Sequence, residues 1–213
     1  MAEPLSIYVV DDDNAVRRSL VLLLASHGYQ AEGFETADAF LATADLQRVG
    51  VVLVDLAMPG TSGEDLIDRL AERHSPLAPI VISGVADIKT TVRVMQRGAV
   101  TVLEKPFSQN ELLAALEAAL ARSQSQETHR AEVAGIAAKL NALDADDRFI
   151  LERMIAGSPI KSCSAMLNLS TRTIERRRKA LLESFGAQSI GELAILVEKA
   201  RAANLWAPQH RPE

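Results

Sequence analysis

The chain has 213 residues, 48% hydrophobic and 24% charged, an ordinary composition for a folded globular chain of one large or two small domains. No apolar run approaches the roughly 20 residues that cross a bilayer, Met1-Ala2-Glu3-Pro4 lacks the basic segment of a signal peptide, and the single Cys163 excludes an internal disulfide or a Cys-rich zinc site. Residues 1–142 carry 12 Lys+Arg against 19 Asp+Glu, net −7, whereas residues 143–213 carry 11 against 9, net +2, so an acidic front and a mildly basic rear point to two domains with different partners.

In chain order, the apolar run Ser6–Val10 predicts a strand that ends in Asp11-Asp12-Asp13. A helix follows, with Val16, Leu20, Leu23 and Leu24 on one face and a stop at His27-Gly28. Gln30–Phe34 is a predicted strand, and Thr36–Ala44 a short helix capped by Thr36. Val51–Val54 runs into Asp55, Pro59-Gly60 turns the chain, and Gly63–Arg73 is helical. Pro79–Ser83 predicts a strand, Asp87–Arg97 a helix, and Val100–Leu103 a last strand stopped by Lys105-Pro106. Ser108 caps a helix that reaches about Arg122. Five strands alternating with five helices, the central strands apolar throughout, predict an α/β fold with a doubly wound parallel sheet.

Residues 123–142 form a helical linker, with Val133, Ile136, Ala137 and Leu140 at helical spacing; a solvated connector and a dimerising helix both fit. From Leu143 to about residue 203 the pattern is all helical: Asp144–Ala156 with Gly157 behind it, Ile160–Leu167, Thr171–Phe185 closed by Gly186, and Ser189–Arg201. The tail, 204–213, holds Trp206, Pro208 and Pro212 and is expected to be loosely ordered.

In parallel sheets, ligands bind at the carboxyl ends of the strands. Asp11 and Asp12, Asp55, Ser83 and Lys105 then converge on one edge. Clustered carboxylates repel one another unless a cation neutralises them, and hard oxygen donors suit magnesium. Asp55 is a candidate nucleophile, with the Ser83 hydroxyl and Lys105 ammonium available to phosphoryl oxygens. Asp13 is expected to cap the following helix instead.

These residues, in Val9-Val10-Asp11-Asp12, Val54-Asp55-Leu56-Ala57-Met58-Pro59-Gly60, Ile82-Ser83-Gly84 and Glu104-Lys105-Pro106-Phe107, resemble the receiver domain of two-component response regulators, with a CheY-like fold over 1–122. The resemblance implies that Asp55 accepts a phosphoryl group from a histidine kinase. It also implies that Asp12, Asp55 and the carbonyl of Ala57 ligate magnesium, Asp11 acts through water, Ser83 contacts the phosphoryl group and Lys105 pairs with it. Val102 departs from the pattern, standing where receivers carry a switch aromatic, which leaves open a phosphorylation-independent regulator or a module acting through protein contacts.

Residues 171–179, TRTIERRRK, set Arg172, Arg176, Arg177, Arg178 and Lys179 against Glu175, on a helix that follows another across a short turn. That is helix-turn-helix spacing with an electropositive helix start, and a solvated basic surface is the alternative. The segment 143–193 resembles the LuxR-type helix-turn-helix of the NarL/FixJ class through Leu167-Asn168-Leu169-Ser170, Thr173-Ile174-Glu175, Leu181-Leu182 and Phe185-Gly186-Ala187. The resemblance implies a recognition helix at Thr171–Ser184 with Glu175, Arg176 and Lys179 facing bases. Lys161 would contact phosphate, with Thr171, Arg172, Thr173, Arg177 and Arg178 at the DNA surface. Asp144-Ala145-Asp146-Asp147 stands where the family opens with Thr-Pro-Arg-Glu, and Cys163 is either a small core residue or a redox-sensing thiol. The expectation is a cytoplasmic, non-enzymatic regulator of transcription with a histidine kinase and promoter DNA as partners, RNA polymerase as a further one, and homodimerisation on phosphorylation. An aspartate-nucleophile hydrolase fits less well, because it needs an Asp-X-Asp with the nucleophile on the first strand, whereas the candidate nucleophile Asp55 ends the third.

Overall fold

The computed structural model describes residues 5–84 and 87–207, so Met1–Pro4 and the expectations on Pro208 and Pro212 lie outside the described residues. The first elements are β1 (Ser6–Val10), α1 (Asn14–Ser26), β2 (Ala31–Phe34), α2 (Ala37–Thr43), β3 (Gly50–Asp55), α3 (Gly63–Glu72) and β4 (Ala78–Ser83). They are followed by α4 (Ile88–Gln96), β5 (Thr101–Glu104), α5 (Gln109–Asn141), α6 (Ala145–Ile155), α7 (Ile160–Leu167), α8 (Thr171–Phe185) and α9 (Ile190–Ala202). The strands pair in parallel in the order β2-β1-β3-β4-β5.

The apolar runs are continuous because alternate residues enter opposite layers. Tyr8, Val10, Val52, Val54 and Val81 pack on one face with Phe34, Phe40, Leu66 and Ile67. Ile7, Val9, Val51, Leu53, Ile80 and Ile82 pack on the other with Leu20, Leu24, Leu112 and Leu116. Both faces are covered, as a parallel sheet requires. Continuing this two-residue period beyond the strand ends puts Asp11, Asp55 and Lys105 in phase with the Leu20–Leu116 face. Ser83 and Val102 are in phase with the opposite face.

The helix starts follow local chemistry. Asp13 caps α1, its carboxylate accepting from Ala15 N at 2.8 Å and Val16 N at 3.3 Å, as expected. Thr36, Ser62, Asp87, Asp144, Ser170 and Ser189 cap α2, α3, α4, α6, α8 and α9 in the same way.

The chain divides into two compact units, Met1–Thr128 and His129–Glu213, with the division inside α5. The segment expected as a helical linker over 123–142 continues α5 as far as Asn141, and its two ends belong to different units. Ser123 is fully buried in the first unit. Ile136, Ala137 and Leu140 are built into the core of the second, beside Ile150, Leu151, Ile174, Leu181, Leu193 and Val197. The apolar face read as either a connector or a dimerising surface is satisfied by its own unit. Cys163 is buried in this core as a small apolar residue.

The tail also differs from expectation. Trp206 is 5% exposed in the same core, its ring covered by the guanidinium groups of Arg201 at 4.9 Å and Arg148 at 5.9 Å. Asn141 Nδ2 donates to the carbonyl of Leu205 at 3.3 Å. A large apolar side chain outweighed the polar composition around it.

Candidate functional site

β1 and β3 lie side by side, with Val10 opposite Val54, so the residues that follow them emerge together. This is the point where the strand order reverses, the crevice in which open parallel sheets bind ligands. Asp11 and Asp55 are both buried there. Lys105, just beyond β5, reaches across to them, its Nζ donating to Asp55 Oδ1 at 2.7 Å and to Asp11 Oδ2 at 3.1 Å. Burial pulls the ammonium pKa down, but the hydrogen bonds and charges of Asp55 and Asp11 outweigh that and hold it above the ordinary lysine value. The other oxygens are also oriented: Asp13 N donates to Asp11 Oδ1 at 2.9 Å and Ala57 N donates to Asp55 Oδ2 at 2.7 Å.

Two further residues shape the site and carry no signal that sequence reasoning picks out. Arg17 Nη1 on α1 donates to the carbonyl of Asp11 at 2.7 Å, pinning the turn after β1. Gly63 starts α3 so close to the chain that a Cβ there would lie 2.3 Å from the carbonyl of Asp55. Only glycine allows this approach.

Of the sequence-predicted set, Asp11, Asp55 and Lys105 come together as one bonded group. Asp12 is exposed, out of phase with its neighbours, and among the described residues no cluster of three or more His, Cys, Asp and Glu is assembled to hold a metal. The donor set nevertheless fits magnesium: two buried carboxylates and the adjacent Asp12 outnumber one ammonium, and all are hard oxygen ligands. Ser83 is buried at the end of β4, and its carbonyl accepts from Lys105 N at 2.8 Å. Val102 is half-buried against the Val54–Val81 layer, opposite Val81.

In the second unit, α7 and α8 are joined through Asn168, whose φ of 53° closes α7, and Ser170, whose hydroxyl accepts from Thr173 N at 3.1 Å. Ile174, Leu181 and Phe185 anchor α8 in the core. Thr171, Arg172, Glu175, Arg176 and Lys179 are exposed, and a concavity on this side is lined by Ser170, Arg172, Thr173, Glu175, Arg176 and Lys179. Among the described residues Arg172, Arg176 and Arg178 take part in no ion pair, and Lys179 makes only an exposed one with Glu183 at 3.7 Å. Lys161 is exposed in the first turn of α7.

Arg177 is placed otherwise than expected. It turns to the start of α6, where Nη1 lies 2.9 Å from Asp147 and 3.4 Å from Asp144, and Nη2 lies 3.9 Å from Asp146. The Asp147 hydrogen bond, opposed by slight desolvation and aided by all three carboxylates, raises its pKa above the usual arginine value. The register explains this: Arg177 is three residues from buried Ile174 and four from buried Leu181, on the side of α8 that meets α6.

A family model for the response regulator receiver domain matches residues 7–117, more than half of the chain. The chain is 35% identical over 198 residues to the transcriptional regulatory protein FixJ of Bradyrhizobium diazoefficiens, covering 93% of this chain and 97% of that one. It is 34% identical over 194 residues to the tetrathionate response regulatory protein TtrR of Salmonella typhimurium, covering 91% and 92%. Among solved structures it is similar to the response regulator StyR, with a TM-score of 0.74 at 30% identity over 92% of this chain and 99% of that one. Full-length FixJ from B. japonicum matches with a TM-score of 0.56 at 35% identity over 92% and 97%. A receiver unit with its carboxylates and lysine assembled, followed by a helical unit and matched over most of its length by such relatives, makes this chain a member of the FixJ-type two-component response regulators, which regulate transcription.

Proposed function

We propose that Asp55 is the phosphoacceptor of this response regulator, and that its phosphorylation by a histidine kinase controls dimerisation and binding of α8 to promoter DNA. The observation that supports this best is the Asp11–Lys105–Asp55 bridge at the ends of β1, β3 and β5. A carboxylate oxygen of Asp55 attacks the phosphorus of phosphohistidine. The O–P bond forms as the P–N bond breaks, and the electron pair returns to the imidazole nitrogen, which takes up a proton. Lys105, already cationic and within reach of Asp55, pairs with the negative charge that arrives. Receivers of this family bind magnesium at this place; Asp11, Asp12, Asp55 and the carbonyl of Ala57 would hold it, and it supplies charge neutralisation for the phosphoryl oxygens. Ser83 can donate its hydroxyl to the phosphoryl group. Val102 shares its face of the sheet and gives the hydroxyl's movement a small aliphatic neighbour in place of an aromatic one.

Acetyl phosphate with magnesium tests the acceptor. Intact mass should rise by one phosphoryl group in the wild type and stay fixed in Asp55→Asn, which keeps the shape and loses the nucleophile. Equal labelling of both would overturn the assignment.

The cations on the open side of α8 support DNA as the target, because a helix of this kind in the major groove reads base edges while its other cations anchor phosphates. Arg176→Ala should cost about 1–3 kcal/mol at a specific site selected from genomic fragments and relax base preference there, whereas Lys161→Ala should weaken all sequences alike. Mobility shifts with and without the phosphodonor test the gate: binding of the full chain should tighten on phosphorylation. Binding that is unchanged at full phosphorylation would leave a phosphorylation-independent regulator.

A further inference from the structure

The basic stretch of α8 is less basic towards a ligand than its composition states. Of its five cations, Arg177 alone is enclosed by carboxylates, with Asp147 at 2.9 Å, Asp144 at 3.4 Å and Asp146 at 3.9 Å. Its side chain is 28% exposed, against 79% for Lys179. The three aspartates stand at the start of α6, where Asp144 also caps the helix by accepting from Asp147 N at 2.6 Å. They outnumber the guanidinium, so the local excess charge is negative, beside a helix whose other side is positive.

Resting on the reading of α8 as a DNA-binding helix, we propose that the aspartates at the start of α6 withdraw Arg177 from the phosphate backbone, making the Asp144–Asp147 cluster a limit on the affinity of α8 for any duplex. Non-specific binding comes almost wholly from cations that neutralise phosphates, whereas discrimination comes from base edges. Removing one cation from the phosphate count weakens specific and random sites alike and leaves the base readers, Arg176 and Lys179, in place. The same pairing fixes α8 against α6, so Arg177 is a positioning residue and the acidic cluster is its counter-charge. As a stability element it is minor, because partly exposed ion pairs contribute little.

The salt dependence of binding separates this from a packing role, because its slope counts neutralised phosphates at roughly 0.9 per contact. The experiment uses the full chain, a random-sequence duplex and a selected genomic site, with affinities measured across a salt series. Arg177→Ala should leave the slope unchanged, while Arg172→Ala flattens it by about one contact. Asp146→Asn with Asp147→Asn should steepen the slope by about one contact per bound chain and raise affinity for the random duplex and the selected site alike, ~3- to 10-fold, leaving the ratio of specific to random binding unchanged. Adding Arg177→Ala to that pair should restore the wild-type slope, a rescue that packing alone would not produce. Asp147→Asn alone, which leaves the Asp144 side chain as the α6 cap, should give the same sign at smaller amplitude and serves if the pair folds poorly. An unchanged slope in the Asn variants, or a slope flattened by Arg177→Ala as by Arg172→Ala, would overturn the proposal. A wild-type chain that fails to retard either duplex at low salt would overturn the DNA reading itself, an outcome distinct from binding with unshifted slopes.

Discussion

The two units place their polar chemistry in opposite locations. In the receiver, Asp11, Asp55 and Ser83 are buried at one sheet edge, with Ser123 buried at the other end of the sheet, beside the start of β3. In the helical unit no polar or charged side chain among the described residues is fully buried, and the cations stand outside on α8. The difference follows from the partner. A phosphoryl group is small and needs fixed charges in a dry, preorganised pocket. A duplex is larger than the domain and is met by an exposed helix face whose attraction is screened by salt. The receiver therefore depends on hydrogen bonds made inside, and the helical unit on apolar packing behind an exposed charge pattern.

Breaking that packing should have the largest effect. Trp206→Ala removes a buried indole and its contacts with Arg148 and Arg201, and should cost the helical unit about 3–5 kcal/mol while leaving the receiver intact. Hydrogen exchange resolved by unit checks this; equal loss of protection in both units would merge what the comparison separates. The next effect belongs to the receiver. The Ser123 hydroxyl donates to the carbonyl of Pro76 at 2.7 Å and accepts from Gly50 N at 2.9 Å, so Ser123→Ala orphans two buried backbone groups. The expected cost is ~1–3 kcal/mol, confined to the receiver in denaturant melts followed unit by unit. A neutral result would mean that Gly50 and Pro76 find other partners.

How much of this was legible in the sequence depended on whether the signal was local. Strand runs, caps and the acidic residues after β1 and β3 are local, so Asp13 as a cap and the convergence of Asp11, Asp55 and Lys105 could be read directly. The face assignments needed only the two-residue period, which also puts Asp12 outside the bonded group. Pairings between elements were not legible. Nothing in TRTIERRRK marks Arg177 as the residue whose register turns it to α6, and the Asp-Ala-Asp-Asp segment shows its partner only when α6 and α8 are side by side. Val133, Ile136, Ala137 and Leu140 declared an apolar face without declaring what covers it, and Trp206 was masked by its polar neighbours.

The smallest expected effect is a difference in acid sensitivity between the units. Three exposed carboxylates in the receiver have pKa values below the ordinary range because they accept hydrogen bonds at helix starts. These are Asp65 from the Ser62 hydroxyl and backbone, Asp87 from the backbone and side chain of Thr90, and Glu111 from the backbone and hydroxyl of Ser108. Among the described residues of the helical unit, Glu132 is the counterpart, lowered by its hydrogen bond from Lys199. A carboxylate with a depressed folded-state pKa stabilises the fold above its unfolded pKa, and that contribution is lost as the pH falls through the folded value. The raised pKa values of Lys105 and Arg177 act in the opposite sense, with contributions lost only at alkaline pH, so neither enters here. Between about pH 5 and pH 3 the receiver should therefore lose more stability than the helical unit. The single tryptophan reports the helical unit by fluorescence, and the only two tyrosines, Tyr8 and Tyr29, report the receiver. Asp65→Asn, Asp87→Asn and Glu111→Gln together should flatten the receiver's pH dependence in that window and leave the tryptophan signal as it was. An unflattened slope would overturn the assignment of the acid response to these three carboxylates.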